Sequence, residues 1–283
     1  MAVETHLQRY LAGEHRQVWA ELVALGALEP GGQPHAAALA VARETMRRAQ
    51  VNIGLLVGRL KSADFKFGPY WWEAPAYKES QVDPTWRERY PAVFALPKPN
   101  VHEQLAELEA RVGRIPLSLY AWFETVGSVN LVGSYPVEDP RDPEGFNNWA
   151  QYRRADPAEE RLREYEDSSR WTDLHDLDPL FVYPIERALR RTTYVLSSTG
   201  QRLSSIEIAP DEQAKYELGG EDNYRIQVPD ATADACLEGE WHETTFVDYL
   251  RICFRWGGFP GLHSRTRIPT HELAYLTRDL LPV

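Results

Sequence analysis

Cysteine is scarce in this chain: of 283 residues only Cys236 and Cys253 carry thiols. Two, without histidine partners at finger spacing, are too few for a disulfide framework or a Cys-rich zinc centre. Both are expected as free thiols in a reducing cytoplasm. Long apolar runs are missing too. The longest stretches without a charged side chain are 13 residues, Pro30 to Ala42 and Thr125 to Val137, short of the roughly 18 that suggest a membrane-spanning helix. The opening Met1-Ala-Val-Glu-Thr-His6 has no basic start followed by an apolar run, so no secretory signal is expected. Positive charge is in deficit: 31 Lys and Arg face 42 Asp and Glu, a net charge of −11. That field repels phosphate and argues against nucleic acid as a partner.

Signatures of common chemistries are also incomplete. His242-Glu243 and His271-Glu272 begin the zinc-protease pattern His-Glu-x-x-His, but Phe246 and Tyr275 stand where the second histidines belong. Both read as surface histidines. Gly257-Gly258-Phe-Pro-Gly261 looks like a phosphate loop, yet no Lys-Ser/Thr follows and it succeeds a helix instead of opening one. No Gly-x-Ser-x-Gly elbow occurs. Cys253 falls on the apolar face of a predicted helix, where a thiol behaves as a small hydrophobe. No cofactor or metal is called for, and at this length folding removes roughly 70–75% of the chain's surface from water, enough without crosslinks.

What is present is periodic structure. Val3, Leu7, Tyr10, Leu11, Val18, Leu22 and Leu25 read as one helix, and Leu39, Met46, Ala49, Ile53, Leu56 and Leu60 as a second after the Glu29-Pro-Gly-Gly-Gln-Pro34 break. An αα-hairpin over 1–65 results, its stripe packing on the rest of the chain. Residues 66–99, dense in aromatics and prolines such as Trp71, Trp72 and Trp86, form a connector without sustained period. Over 100–283 the pattern is mixed. Asn100 with Glu103 makes a capping-box pattern ahead of Val101, Leu105, Leu108 and Val112, with Gly113 as the stop. Pro116 opens a helix carrying Leu119, Tyr120 and Phe123 and ending at Gly127. Strand-like runs fall at Val129 to Val132, Phe181 to Tyr183, Thr192 to Ser197, Leu203 to Ala209 and Tyr224 to Val228, with connections short enough for antiparallel pairing. Thr245-x-x-Asp248 opens a helix with Phe246, Tyr249, Leu250, Cys253 and Phe254 on one face, stopped at Gly257.

Between Glu138 and Asp178 the apolar pattern disappears, and 13 acids face 6 arginines. This excursion is expected to hold one short charged helix near Pro157 to Tyr165 and to present Asp142, Glu144, Asp173 and Asp176 outward, with Trp149 or Trp171 as an apolar anchor inside an acidic rim. The competing use of its acids is a hydrolase built on the 173–178 loop, His-Asp-Leu-Asp178 included.

Two segments carry a family resemblance. Leu105-Ala-Glu-Leu-Glu-Ala-Arg-Val-Gly-Arg-Ile-Pro-Leu-Ser-Leu-Tyr-Ala-Trp-Phe-Glu-Thr-Val-Gly127 and Thr245-Phe-Val-Asp-Tyr-Leu-Arg251, with the Trp256-Gly-Gly-Phe-Pro-Gly261 loop, resemble the SUKH superfamily, the Smi/Knr-like group, in its long bacterial form. They bracket roughly Val101 to Leu262. Gly127-Ser-Val-Asn130 departs from the Asn-Gly-rich turn of compact members. The resemblance implies an α+β fold, an antiparallel sheet flanked by helices, here with an N-terminal helical hairpin extension. It implies a cytoplasmic role in binding proteins without catalysis: a regulatory scaffold, or an immunity protein whose partner is a basic toxin domain. Neither nucleic acid nor membrane is expected as a partner.

Overall fold

The computed structural model describes residues 5–63, 65–68, 92–134, 178–196, 202–211, 215, 223–264 and 270–283. Within them the fold is α+β, with helices around small antiparallel sheets.

The N-terminal stripe breaks into two helices, α1 (His6–Leu11) and α2 (His15–Ala24). The break sits in the gap of the stripe between Leu11 and Val18, where Leu11 is exposed and Gly13 takes φ +110°. Helix α3 (Gln33–Ser62) runs uninterrupted for 30 residues, with Pro34 in its first turn, where a missing N–H costs nothing. Its buried row of Met46, Ala49, Ile53, Leu56 and Leu60 belongs to the same apolar core as the C-terminal half. Buried Trp19 donates from Nε1 to Thr45 Oγ1 at 3.0 Å, seating α2 on α3. The hairpin's stripe therefore packs on the rest of the chain, as the periodicity suggests.

Strand β1 (Lys66–Phe67) follows α3, and β2 (Phe94–Ala95) precedes α4 (Val101–Val112) and α5 (Leu117–Thr125). Trp71, Trp72 and Trp86 lie outside the described residues. Helix α4 has the predicted bounds, but the capping box does not form. Asn100 is already turned, at φ −93° and ψ 18°, and makes no side-chain cap, because a capping residue needs extended backbone to bring its oxygen onto the N–H groups ahead. Pro116 stands one position before α5, not inside it. The free N–H groups of that helix are met from elsewhere: Leu117 donates to Thr232 O at 3.1 Å and Ser118 to Ala233 O at 2.9 Å. At the end of α5, Gly127 has φ +88°, and a Cβ there would lie 2.3 Å from the carbonyl oxygen of Ala95. Only glycine satisfies both conditions.

Strands β3 (Ser128–Asn130), β4 (Gly133–Ser134) and β5 (Phe181–Val182) come next, then α6 (Ile185–Arg190), β6 (Thr192–Leu196), β7 (Arg202–Ala209) and β8 (Tyr224–Val228). They form sheets ordered β2-β3-β5, β6-β7-β8 and β1-β4, every pair antiparallel. In the β7–β8 ladder Glu207 faces Arg225 and Ala209 faces Tyr224, so Ile208 is an extra, bulged residue. Its carbonyl accepts from Tyr183 N at 2.8 Å and ties two sheets together.

Helix α7 (Phe246–Arg255) is capped by Thr245, whose Oγ1 accepts from Asp248 N at 3.4 Å. Phe246, Tyr249, Leu250 and Cys253 are wholly buried, and the Phe246 ring meets Trp122 edge-on at 5.4 Å. Gly257 follows with φ +62°, as the C′ position of a helix favours. A 3₁₀ turn (Pro260–Ser264) leads to α8 (Thr270–Thr277), which the sequence pattern does not announce.

The segment between β8 and α7 clamps two helix starts. Asp234, 6% exposed, accepts from Ser118 Oγ at 2.7 Å and from Val247 N at 3.2 Å. Burial nevertheless pushes its carboxyl up to about 6, against a usual 3.8, because lost hydration outweighs those bonds.

Two measurements test this architecture. Leu250→Ala should lower stability by about 2–5 kcal/mol through lost transfer energy and an unfilled cavity, whereas Arg255→Ala, on the exposed side of α7, should cost about 1 kcal/mol or less. Arg251 is no neutral control, since it donates to Val283 O at 2.8 Å and to Asp248 Oδ1 at 2.7 Å. Equal denaturant midpoints for the Leu250 and Arg255 variants would overturn the inward face. The second concerns pH. A carboxyl raised in the folded state favours folding while protonated, so its contribution is full below about pH 4 and is lost as pH rises through 6. Against Asp234→Asn, wild type should lose at most about 3 kcal/mol of relative stability between pH 4 and 6, read from urea midpoints across that window.

Candidate functional site

Helix α7 turns Tyr249 and Cys253, one turn apart, toward an unusual group of buried polar side chains. Lys215, in the connection between β7 and β8, donates from Nζ to Asp178 Oδ1 with both side chains fully shielded from water. The same ammonium lies 4.9 Å from the ring centre of Tyr224, a cation–π contact. Asp178 adopts φ +45°, its Oδ2 has no partner, and neither has the hydroxyl of Tyr249. Tyr224 and Tyr249 meet edge to face at 6.4 Å. Burial first, then the charge of Asp178, pushes the Cys253 thiol well above its ordinary value. It stays protonated and unreactive, as its place on the apolar face implies.

Beyond this group, nearer the surface, sits a carboxylate–imidazole pair. Glu240 is 2% exposed. Its Oε2 accepts from the backbone N–H of His242 at 2.9 Å, and its Oε1 engages Nδ1 of the same ring. Burial pushes the Glu240 carboxyl up, and the histidine opposes that shift. The expectation of a surface histidine at 242 is therefore corrected: its side chain is 8% exposed, held under Trp241, whose ring centre is 3.8 Å away. His271 is exposed as expected. With Nδ1 turned to the carboxylate, Nε2 is the ring nitrogen left over, and it is buried without a partner. His263 stands 5.5 Å from it, ring centre to ring centre, and Trp256 6.2 Å from His263.

Asp142, Glu144, Trp149, Trp171, Asp173 and Asp176, expected to meet a partner, lie outside the described residues, as does the short helix expected near Pro157. The two ends of their segment are described. Strands β3 and β5 pair directly, Val129 opposite Val182 and Asn130 opposite Phe181, and Leu131 N donates to Leu180 O at 3.0 Å. Residues 135–177 are thus an insertion between neighbouring strands, and Asp178, where the chain returns, is pinned by Lys215. Asp178 is the only acid of the 173–178 loop among the described residues, and its carboxylate faces the core rather than solvent. The β7–β8 connection, 210–223, adds five acids against Lys215 alone. Together with 138–178 it accounts for the entire net charge of −11, leaving the remainder of the chain neutral.

A concavity of about 610 Å³ lies apart from these groups, where the start of α2 meets α7 and the last residues. Arg251 crosses it to main-chain oxygens of Val283 and His15.

Sequence reasoning missed the Lys215–Asp178 pair because 37 residues separate them and a lone lysine in an acidic loop reads as a surface charge. The Glu240-Trp-His242 spacing was the one local signal for the other pair. Removing Lys215 alone should be severe: Lys215→Met strands a buried carboxylate and should cost about 3–5 kcal/mol, while the double variant with Asp178→Asn should recover part of the loss. Chemical-denaturation midpoints decide, and a double variant as weak as the single would refute mutual neutralisation at this site. No family model, curated protein or solved structure matches the chain.

Proposed function

We propose that the chain is a protein-binding module, without catalysis of its own, that offers acidic segments to a basic partner protein. The observation that carries this reading is the direct pairing of β3 with β5 across the insertion 135–177. Among the described residues β3 and β5 pair directly although residues 135–177 separate β4 from Asp178 in sequence, which supports reading that charged stretch as a partner-facing addition to the sheet. The charge count supports it further. All of the net −11 resides in that insertion with its returning Asp178 and in the β7–β8 connection, and complementary charge accelerates encounter with a basic surface and selects against acidic ones. The SUKH-like segments at Leu105 to Gly127 and Thr245 to Gly261 point the same way. In bacterial members of that superfamily such a role often means neutralising a cognate toxin, and a basic toxin domain fits the sign of the charge. A regulatory scaffold role would use the same surface.

The test is charge reversal at Asp142, Glu144, Asp173 and Asp176 together. On this reading the four carboxylates face solvent, where charges contribute little to folding, so thermal stability should barely change. Association with a basic partner, captured from the source cells or encoded by the neighbouring gene, should slow by about tenfold or more at low salt and lose much of its salt dependence. Unchanged association rates for a correctly folded variant would eliminate this segment as the binding surface.

A further inference from the structure

Outside the acidic segments, a carboxylate–imidazole pair near the surface has a ring nitrogen left unpartnered. The Glu240 side chain is fully buried, that of His242 is 8% exposed, and the imidazole Nε2 has no hydrogen-bond partner despite being shielded from water. A buried ring nitrogen left unpaired has its desolvation uncompensated unless something binds there. The residue is held at three points: the ring at Nδ1 by the Glu240 carboxylate and on one face by Trp241, and the backbone N–H by the second oxygen of that carboxylate. Its orientation is therefore set before anything binds. A histidine that gives one ring nitrogen to a carboxylate and keeps the other free is the arrangement found behind metal-ligating imidazoles, where the carboxylate raises ligand basicity.

His263, on the 3₁₀ turn after α7, supplies a second imidazole, and its side chain is exposed. With metal–nitrogen bonds of about 2.1 Å, each ring centre lies about 3.2 Å from a bound ion, and two rings at the tetrahedral angle stand about 5.2 Å apart. The observed separation is 5.5 Å, with the ring planes inclined at 51°. We propose that His242 and His263 form a two-imidazole site for a borderline divalent transition cation of the zinc class, with Glu240 as its outer carboxylate. Imidazole donors select zinc, copper or nickel over magnesium and calcium, which require oxygen. Among the described residues no group of three or more metal-ligating side chains occurs. The remaining positions fall to water, which leaves the ion exchangeable and open to a further donor.

The experiment uses the full, tag-free chain carrying Cys236→Ser, because Cys236 is an exposed thiol that could itself take up zinc. Zinc chloride is titrated by calorimetry and by competition with a chromophoric chelator, with magnesium chloride as the comparison. The expected result is one saturable zinc per chain, no magnesium response, and at least a tenfold loss of affinity in His263→Ala. That variant changes only an exposed side chain, so its unfolding midpoint without metal should match the parent. Glu240→Gln should weaken binding by about ten- to a hundredfold, the usual effect of losing an outer carboxylate. No saturable uptake by the parent chain would overturn the proposal, as would zinc bound equally well by a folded His263→Ala.

Discussion

Lys215 and Asp178 meet where neither touches water, and two charges so placed are tolerable only while each neutralises the other. Much of the C-terminal half depends on that arrangement. Asp178 is the residue from which the chain enters β5; Leu180, two residues later, donates to Gly258 O at 2.8 Å, and Phe181 then pairs with β3. Lys215 sits over Tyr224, the first residue of β8. One ion pair thus fixes where an insertion rejoins the sheet and where the next hairpin turns back. Tyr249 and Cys253 of α7 close the space around it, and their own ionisation is suppressed by the same lack of solvent.

The α-helical side is held differently, by polar side chains that bridge one helix to another or meet the backbone groups at helix ends. Arg43 grips Glu124 with two bonds of 2.7 Å, and Gln50 donates to Thr125 O at 2.6 Å, so α3 follows α5 along its length. The 232–235 segment does the equivalent for α5 and α7, lending carbonyls and the Asp234 carboxylate to helix starts that have weak caps of their own. Apolar burial supplies the bulk of the driving force. These few bonds decide which packing is adopted.

Much of this was legible in the sequence wherever the signal is local. The faces of α4 and α7 follow from three- and four-residue apolar spacing, and Gly257 could be assigned a left-handed turn from its place after Phe254; α5 departs, being buried on most sides with Trp122 wholly covered while Tyr120, expected inward, is only partly so. The antiparallel β6-β7-β8 sheet follows from short runs and short connections, whereas β1–β4, β2–β3 and β3–β5 pair across long stretches that no local pattern marks. Local patterns misled where a residue's neighbours come from elsewhere in the chain. The first stripe seemed continuous because periodicity tolerates a gap that Gly13 in fact uses to turn. Asn100 has the right residue type for a cap but the wrong backbone. His242 reads as a surface residue until the burial of Glu240 beside it is known. Helix α8 contributes one deeply buried side chain, Leu276, too little for a stripe to reveal.

The side chain of Asn52 imitates a strand: its Nδ2 donates to Leu281 O at 2.8 Å and its Oδ1 accepts from Leu281 N at 2.7 Å, across 229 residues of sequence. Asn52 is wholly buried in mid-α3, so before Leu281 arrives its amide faces an apolar surface with both bonds unmade. During synthesis Asn52 emerges 229 residues before Leu281, and this contact cannot close until then. Contacts of such long range slow folding and lengthen the time that apolar surface stays open to misassociation. One amide in mid-α3 thus ties the closing of the helical core to a segment 229 residues further along the chain.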